Sequence, residues 1–241
     1  MVANSRPRRG WAALVVALIL AAVAVRLGVW QLGRADEKQA LMDLRASRTS
    51  AVVLGAPNTE FAWRTDFNAS ALDQSPVTLR GQWRIAESIA LDNRAWEGRA
   101  GAHVLTPFQL TDGSVVWVNR GWMPKSPGVQ VADIPAAPPA TEITGVALAS
   151  VMRRLELSGD TNTLRQGNVW QNFDWAAAAQ RFRANTWPVI VWQTSENQDG
   201  LLRKLPDVSN DVPKHFGYAA QWFCLAALAL FFGWRLRPKS T

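Results

Sequence analysis

Phe216-Gly-Tyr-Ala-Ala-Gln-Trp-Phe-Cys-Leu-Ala-Ala-Leu-Ala-Leu-Phe-Phe-Gly-Trp234 runs without a single charged side chain. At about 1.5 Å per residue, a helix of this length matches the roughly 30 Å hydrocarbon core of a bilayer. Lipid offers no partner to an exposed backbone N–H or C=O, so a run that spans it is helical. A second run, Trp11 to Trp30, lies near the other end of the chain and is uncharged until Arg26. Arg26 stands close enough to the end of the span for its long side chain to reach the interface. Trp11, Trp30, Trp222 and Trp234 lie at or near the ends of the two runs, where interfacial aromatics collect.

Arg6, Arg8 and Arg9 precede the first run, and Arg235, Arg237 and Lys239 follow the second. Basic residues favour the cytoplasmic side, so both termini are expected there and the intervening domain on the outer face. The organisation read from sequence is a cytoplasmic basic tail over residues 1–10, a transmembrane helix over 11–32, an extracytoplasmic domain over 33–214, a second transmembrane helix over 215–234, and a basic tail over 235–241. Ala22-Val23-Ala24 resembles a signal-peptide cleavage site, but the apolar run is long for a signal peptide and a second span follows, so an uncleaved anchor is expected. No Arg- and Ser-rich amphipathic presequence precedes the first span, which points to a bacterial inner membrane.

The formal charge of +7 comes from these six flanking residues and Arg26. Arg34 to Lys214 holds 19 basic and 19 acidic residues and is formally neutral, which argues against a nucleic-acid partner. The one cysteine, Cys224, lies in the second span, so no intramolecular disulfide can form, and core packing is its expected role.

Residues 34–48 are charged and helix-compatible and extend the first helix. Gly55 to Asp73 reads as irregular. Val77–Trp83 alternates apolar and polar side chains as a strand does, and Ser88–Arg94 is another strand candidate. Gly101–Leu110 and Ser114–Trp122 flank the turn signal Asp112-Gly113 and predict a hairpin. Pro135–Pro139 is excluded from a central strand by its prolines. Glu142–Ser150 and Pro188–Thr194 read as strands. Asp174 is placed to cap a helix over Trp175–Phe182. The expected fold is two transmembrane α-helices flanking a mostly antiparallel β (α+β) domain, a sandwich or small barrel.

No phosphate loop, dinucleotide fingerprint, paired-His zinc motif or nucleophile elbow is present. With two histidines and one cysteine, an enzyme is not expected. His103 in an apolar strand reads as a structural hydrogen-bonding residue. His215 opens the second span. Helical spacing groups it with Tyr218, Ala219 and Trp222, and a neutral imidazole is able to ligate haem iron. Arg26, Trp30 and Arg34 share a face of the first helix, with Gly28 beside them. If the helices pair, these arginines could meet haem propionates by charge-assisted bonds, with the macrocycle between the helices. Ordinary interfacial anchoring explains the same residues.

Leu27-Gly28-Val-Trp30-Gln31-Leu-Gly-Arg34, Gly101-Ala-His103-Val-Leu-Thr-Pro-Phe108, Val118-Asn119-Arg120-Gly121-Trp122-Met-Pro124 and His215-Phe-Gly-Tyr218-Ala-Ala-Gln221-Trp222-Phe223 stand in this order along the chain. Together they resemble the motifs of the Surf1 (Shy1) family of cytochrome c oxidase assembly factors. Met123 stands where that family usually has Val, and Ala102 where a bulky residue is frequent. The resemblance implies a membrane-anchored factor that binds haem a transiently through His215. It also implies the oxidase large subunit and haem a synthase as partners. The alternative is a haem-independent scaffold that holds an assembly intermediate through the outer domain. Asn119, Arg120, Gly121 and Trp122 read as a structural turn, Arg120 bonding backbone carbonyls, or as a docking surface for an oxidase subunit.

Overall fold

The computed structural model describes residues 6–56, 67–125, 133–149, 165–181, 185–196, 198–206 and 211–237. In chain order the described elements are α1 (Arg6–Ser47), β1 (Val52–Leu54), β2 (Pro76–Trp83), β3 (Ile89–Leu91), β4 (Gly101–Leu110) and β5 (Val115–Pro124). They continue with β6 (Glu142–Leu148), β7 (Arg165–Gln166), β8 (Val169–Trp170), α2 (Trp175–Gln180), β9 (Thr186–Gln193) and α3 (Val212–Leu236). The chain forms two compact units, Met1–Leu44 with Asp207–Thr241, and Arg45–Pro206.

In the first unit, α1 and α3 are each long and apolar enough to cross a membrane. α1 continues unbroken through the charged segment after Gly33, as its helix-forming residues predict. α3 starts at Val212, before the span expected from His215, because Pro213 suits the first helical turn, where its missing N–H is not needed. Cys224 is exposed on α3 and does not pack in a core, which corrects the expectation for it.

The second unit is a β-barrel. β4 and β5 form the expected hairpin: Asp112 accepts hydrogen bonds from the Ser114 N–H and hydroxyl, and Gly113 takes φ +83° in the turn. The sheet runs β2-β6-β9-β5-β4, and the β2–β4 pairing closes the ring. β6, β2, β4 and β5 lie side by side in that order, so three successive strands are followed by one that returns beside the first. This is a Greek key, and the five-stranded ring is a partly open barrel of the OB type. Most pairings are antiparallel; β5–β9, β1–β2 and β3–β8 are parallel. Prolines sit where the ladder has no use for an N–H. Pro107 lies where one edge of β4 passes from β3 to β2, and Pro188 lies inside β9 at a register shift against β5. β9 therefore begins at Thr186, ahead of the strand start expected at the proline.

Side-chain alternation divides the core into two layers. Val116, Val118, Phe108, Val189 and Val191 fill the barrel with Leu54, Leu79 and Trp187. Val115, Trp117, Leu105 and Ile190 point the other way, beneath Trp170, Phe173 and α2. The first eight residues of β5 are therefore buried on both faces, which fits the unbroken apolar run Val115–Val118 at its start. α2 is capped by Asp174, which accepts from the Ala177 N–H. It ends at Gln180, and Phe182 lies outside the described residues. The β7–β8 pair and β1 were not expected from sequence, being two or three residues long.

The Asn119–Trp122 stretch is a strand with a bulge, not the turn expected. His103 pairs with Trp122 and Val104 with Gly121, but Leu105 pairs with Asn119, so Arg120 is the extra residue. A bulge re-aims its side chain. The Arg120 guanidinium is fully buried and donates to the carbonyls of Pro135 (2.8 Å) and Ala136 (3.0 Å) and to Asp199 (2.9 Å). Asp199 also accepts two bonds from Arg203, both at 2.7 Å. Burial lowers the Arg120 pKa from its ordinary value, and Asp199 opposes that shift. The clasp holds residues 199–203 against β5, where Trp122 and Leu202 exchange backbone bonds of 2.7 and 2.9 Å. Gly121 is required at this crossing. Its φ is +143°, and a Cβ there would lie 2.8 Å from the Leu202 carbonyl oxygen. Asp199→Ala leaves two guanidinium groups without their carboxylate and should destabilise the domain by about 3–5 kcal/mol in equilibrium unfolding of the purified chain. A loss under about 1 kcal/mol would mean that the pair behaves like a surface ion pair.

Candidate functional site

His103 lies on β4, its ring 4.9 Å from that of Trp192 in an edge-on arrangement. Burial pushes its pKa down to about 4, helped by the positive charge of Arg94 and opposed by hydrogen bonds to the Gly121 backbone and the Asn119 side chain. Nδ1 is buried with no hydrogen-bond partner among the described residues, so a second ring proton would have no acceptor there. His103 is neutral in the fold, a wall residue of the barrel joined to the bulge. Unfolded histidine protonates near pH 6.5 and the folded ring only near 4, so its contribution is complete above about pH 6.5 and is lost as pH falls through that window. Across it the wild type should lose about 3 kcal/mol more unfolding free energy than His103→Gln. Parallel stability curves for the two proteins would contradict this.

In the membrane unit, buried and half-buried positions on α1 recur at alternating steps of four and three: Ala17, Ala21, Ala24, Gly28, Gln31, Ala35 and Lys38. On α3 they are Val212, His215, Ala219, Trp222, Ala226, Ala229 and Gly233. This heptad spacing is that of a left-handed helix pair, here lined by the small side chains that let membrane helices approach closely. The pair is antiparallel. A Cβ on Gly233 would meet the Ala17 Cβ at 2.6 Å, one on Gly28 would meet the Phe223 ring at 2.7 Å, and Lys38 bonds Asp211 at 3.2 Å. Ala21, Ala24 and Ala226 form a small cluster with Trp222 and Ala229 packed on it.

His215 lies in this seam, its Nδ1 2.7 Å from the Gln31 side-chain oxygen. The bond joins two of the motifs quoted above, from opposite ends of the sequence. Ala219 and Trp222 share the seam with His215. Tyr218 is exposed beside it, and Arg26, Trp30 and Arg34 are exposed on α1, off the seam. Arg34 is ion-paired with Glu37 at 2.7 Å and lies 6.0 Å from the Trp30 ring centroid. The helices therefore pair as the haem arrangement required, but the arginines do not face His215. The tight approach at Gly28 leaves no slot for a macrocycle between the helices. Asn119, Arg120 and Trp122 are buried with Gly121 in the barrel wall and present no open docking face. Sequence reasoning missed Gln31, although the four-and-three spacing of small residues on α1 carries that signal. It also missed Asp199 and Arg203, which no local pattern marks.

Gly28→Leu would drive a side chain into the Phe223 ring and should weaken the helix pair by about 1–3 kcal/mol in denaturant titration of the solubilised chain. Phe223→Ala in the same chain should restore most of that loss, and no rescue would place the strain elsewhere.

Among known proteins, the model of the SURF1 family matches residues 18–227. A SURF1-like protein of Rickettsia felis is 29% identical over 88% of this chain and 91% of its own length. One from Dictyostelium discoideum is 24% identical over 92% of this chain and 94% of its own. Surfeit locus protein 1 of Mus musculus is 29% identical over 45% of this chain and 38% of its own. The matched span takes in the seam of α1 from Ala21 on, the barrel with its Arg120 bulge, and most of α3, and the chain belongs to the SURF1 family.

Proposed function

We propose that this chain is a membrane-anchored assembly factor for haem-copper cytochrome c oxidase that holds haem a transiently at His215 for insertion into the oxidase large subunit. Family membership supports the assembly role. The haem reading is carried by one observation: His215 Nδ1 is bonded to Gln31, while no described residue bonds Nε2. Haem iron takes a neutral imidazole nitrogen with a free lone pair, and ligating histidines commonly give their other ring N–H to a protein acceptor. The residues present fit that requirement. Bound haem a would supply an iron centre that accepts the imidazole lone pair. His215 would ligate it, and the exposed Phe216 and Tyr218 offer apolar surface beside it. Arg26, Trp30 and Arg34 are exposed on α1 outside the seam and are not assigned to the haem. In keeping with the basic flanks, both termini lie in the cytoplasm of a bacterial inner membrane, with the β domain on the outer face and haem a synthase as the donor partner.

A scaffold that binds no haem is the second reading, favoured by the closed seam and by arginines turned away from His215. The test is a pyridine haemochrome assay on the chain purified in detergent from cells making haem a. Near-stoichiometric haem a in the wild type, lost in His215→Ala of equal folding and yield, is the expected result. A well-folded wild type that carries no haem a, even after exposure to it, would leave the scaffold.

A further inference from the structure

We propose that Gln31 is the positioning residue of the His215 site. It holds the imidazole as the Nδ1–H tautomer, so that Nε2 is the nitrogen offered to a ligand. This deepens the haem reading and rests on it only for the identity of the ligand. The tautomer follows from atom types. The Gln31 amide turns its oxygen to Nδ1 at 2.7 Å, and an amide oxygen accepts but does not donate, so in this orientation of the amide the ring nitrogen carries the proton. A neutral ring has one N–H, so Nε2 keeps its lone pair. In water the neutral side chain favours the opposite tautomer, with the proton on Nε2 and the lone pair on Nδ1. The fold inverts that preference.

The position of Gln31 supports a specific role. Its neighbours along the α1 seam are Ala24, Gly28 and Ala35, and an apolar side chain would pack there without leaving an amide to satisfy. A polar residue in a helix seam is also able to serve as a pin of register. The two roles differ in what they require. Register needs any bond across the pair, whereas positioning needs an acceptor at Nδ1. Glutamate keeps that acceptor and leucine removes it. The Lys38–Asp211 ion pair supplies register at the same end of the helix pair without Gln31.

The chain suits a direct measurement because it has two histidines, His103 and His215. With 15N-labelled histidine in the full-length protein in detergent, above the ordinary histidine titration range, the ring-nitrogen shifts report each tautomer. His103→Gln assigns the signals. The expected result is Nδ1–H at His215 in the haem-free wild type and in Gln31→Glu, and Nε2–H in Gln31→Leu. Titration with haem a should show affinity lowered about 10–100-fold in Gln31→Leu and kept within a few-fold in Gln31→Glu. Nε2–H in the wild type, or an unchanged tautomer in folded Gln31→Leu, overturns the proposal whatever haem does. Wild-type haem affinity in a folded Gln31→Leu overturns positioning and leaves a register pin. An Nδ1–H wild type that takes up no haem a supports the lock and sinks the haem reading instead.

Discussion

Two helices from opposite ends of the chain meet because small side chains line much of the seam where they cross. Ala17, Ala21, Ala24 and Gly28 on α1 face Ala219, Ala226, Ala229 and Gly233 on α3. Apolar lipid gives no hydrophobic drive to pair two apolar helices, so close van der Waals approach supplies the attraction, and small residues permit it. The antiparallel sense brings the end of the α1 seam to the start of α3, where Lys38 meets Asp211. His215 and Gln31 come together by the same geometry. A bulky residue in the seam would separate them without touching either.

The β unit uses the opposite device, a charge locked inside. Arg120 is placed in the barrel wall by a bulge, and its fork ties Pro135, Ala136 and Asp199 together. These segments are distant in sequence, and Asp199 is also claimed by Arg203. Buried pairs of this kind add little net stability over an apolar filling, but removing one partner strands the others. Gly121 lets the strap at Leu202 come within bonding distance, and the adjoining Asn119 ties the bulge to His103. The motif from Asn119 to Trp122 is thus a fastening of the barrel from within.

Much of the fold was legible in the sequence because its signals are local. Uncharged runs mark α1 and α3, Asp112-Gly113 marks the β4–β5 turn, and Asp174 marks the start of α2. The barrel closure was not, since it depends on β2 pairing with β4 at one end and with β6 along its other edge. The bulge at Arg120 was read as a turn because Asn and Gly signal both, and only the partner strand shows an extra residue. At the candidate site, helical spacing grouped His215, Tyr218, Ala219 and Trp222; the structure puts His215, Ala219 and Trp222 in the seam and leaves Tyr218 exposed beside it. Helical spacing could not say which face of α1 would meet them. Arg26 and Arg34 have the chemistry to bind an acid, but the small residues that decide packing lie elsewhere on the helix.

The His215–Gln31 pairing depends on α1 and α3 forming one antiparallel seam in register. Cysteine crosslinking in native membranes tests it directly, with Cys224 replaced by serine. Ala17→Cys with Gly233→Cys should form an intramolecular disulfide under mild oxidation, because the two Cβ positions lie 2.6 Å apart and the helices need part by only about 1 Å to reach disulfide spacing. The exposed pair Leu18→Cys with Phe232→Cys should not. Equal crosslinking of both pairs, or none at the seam pair, would contradict the account.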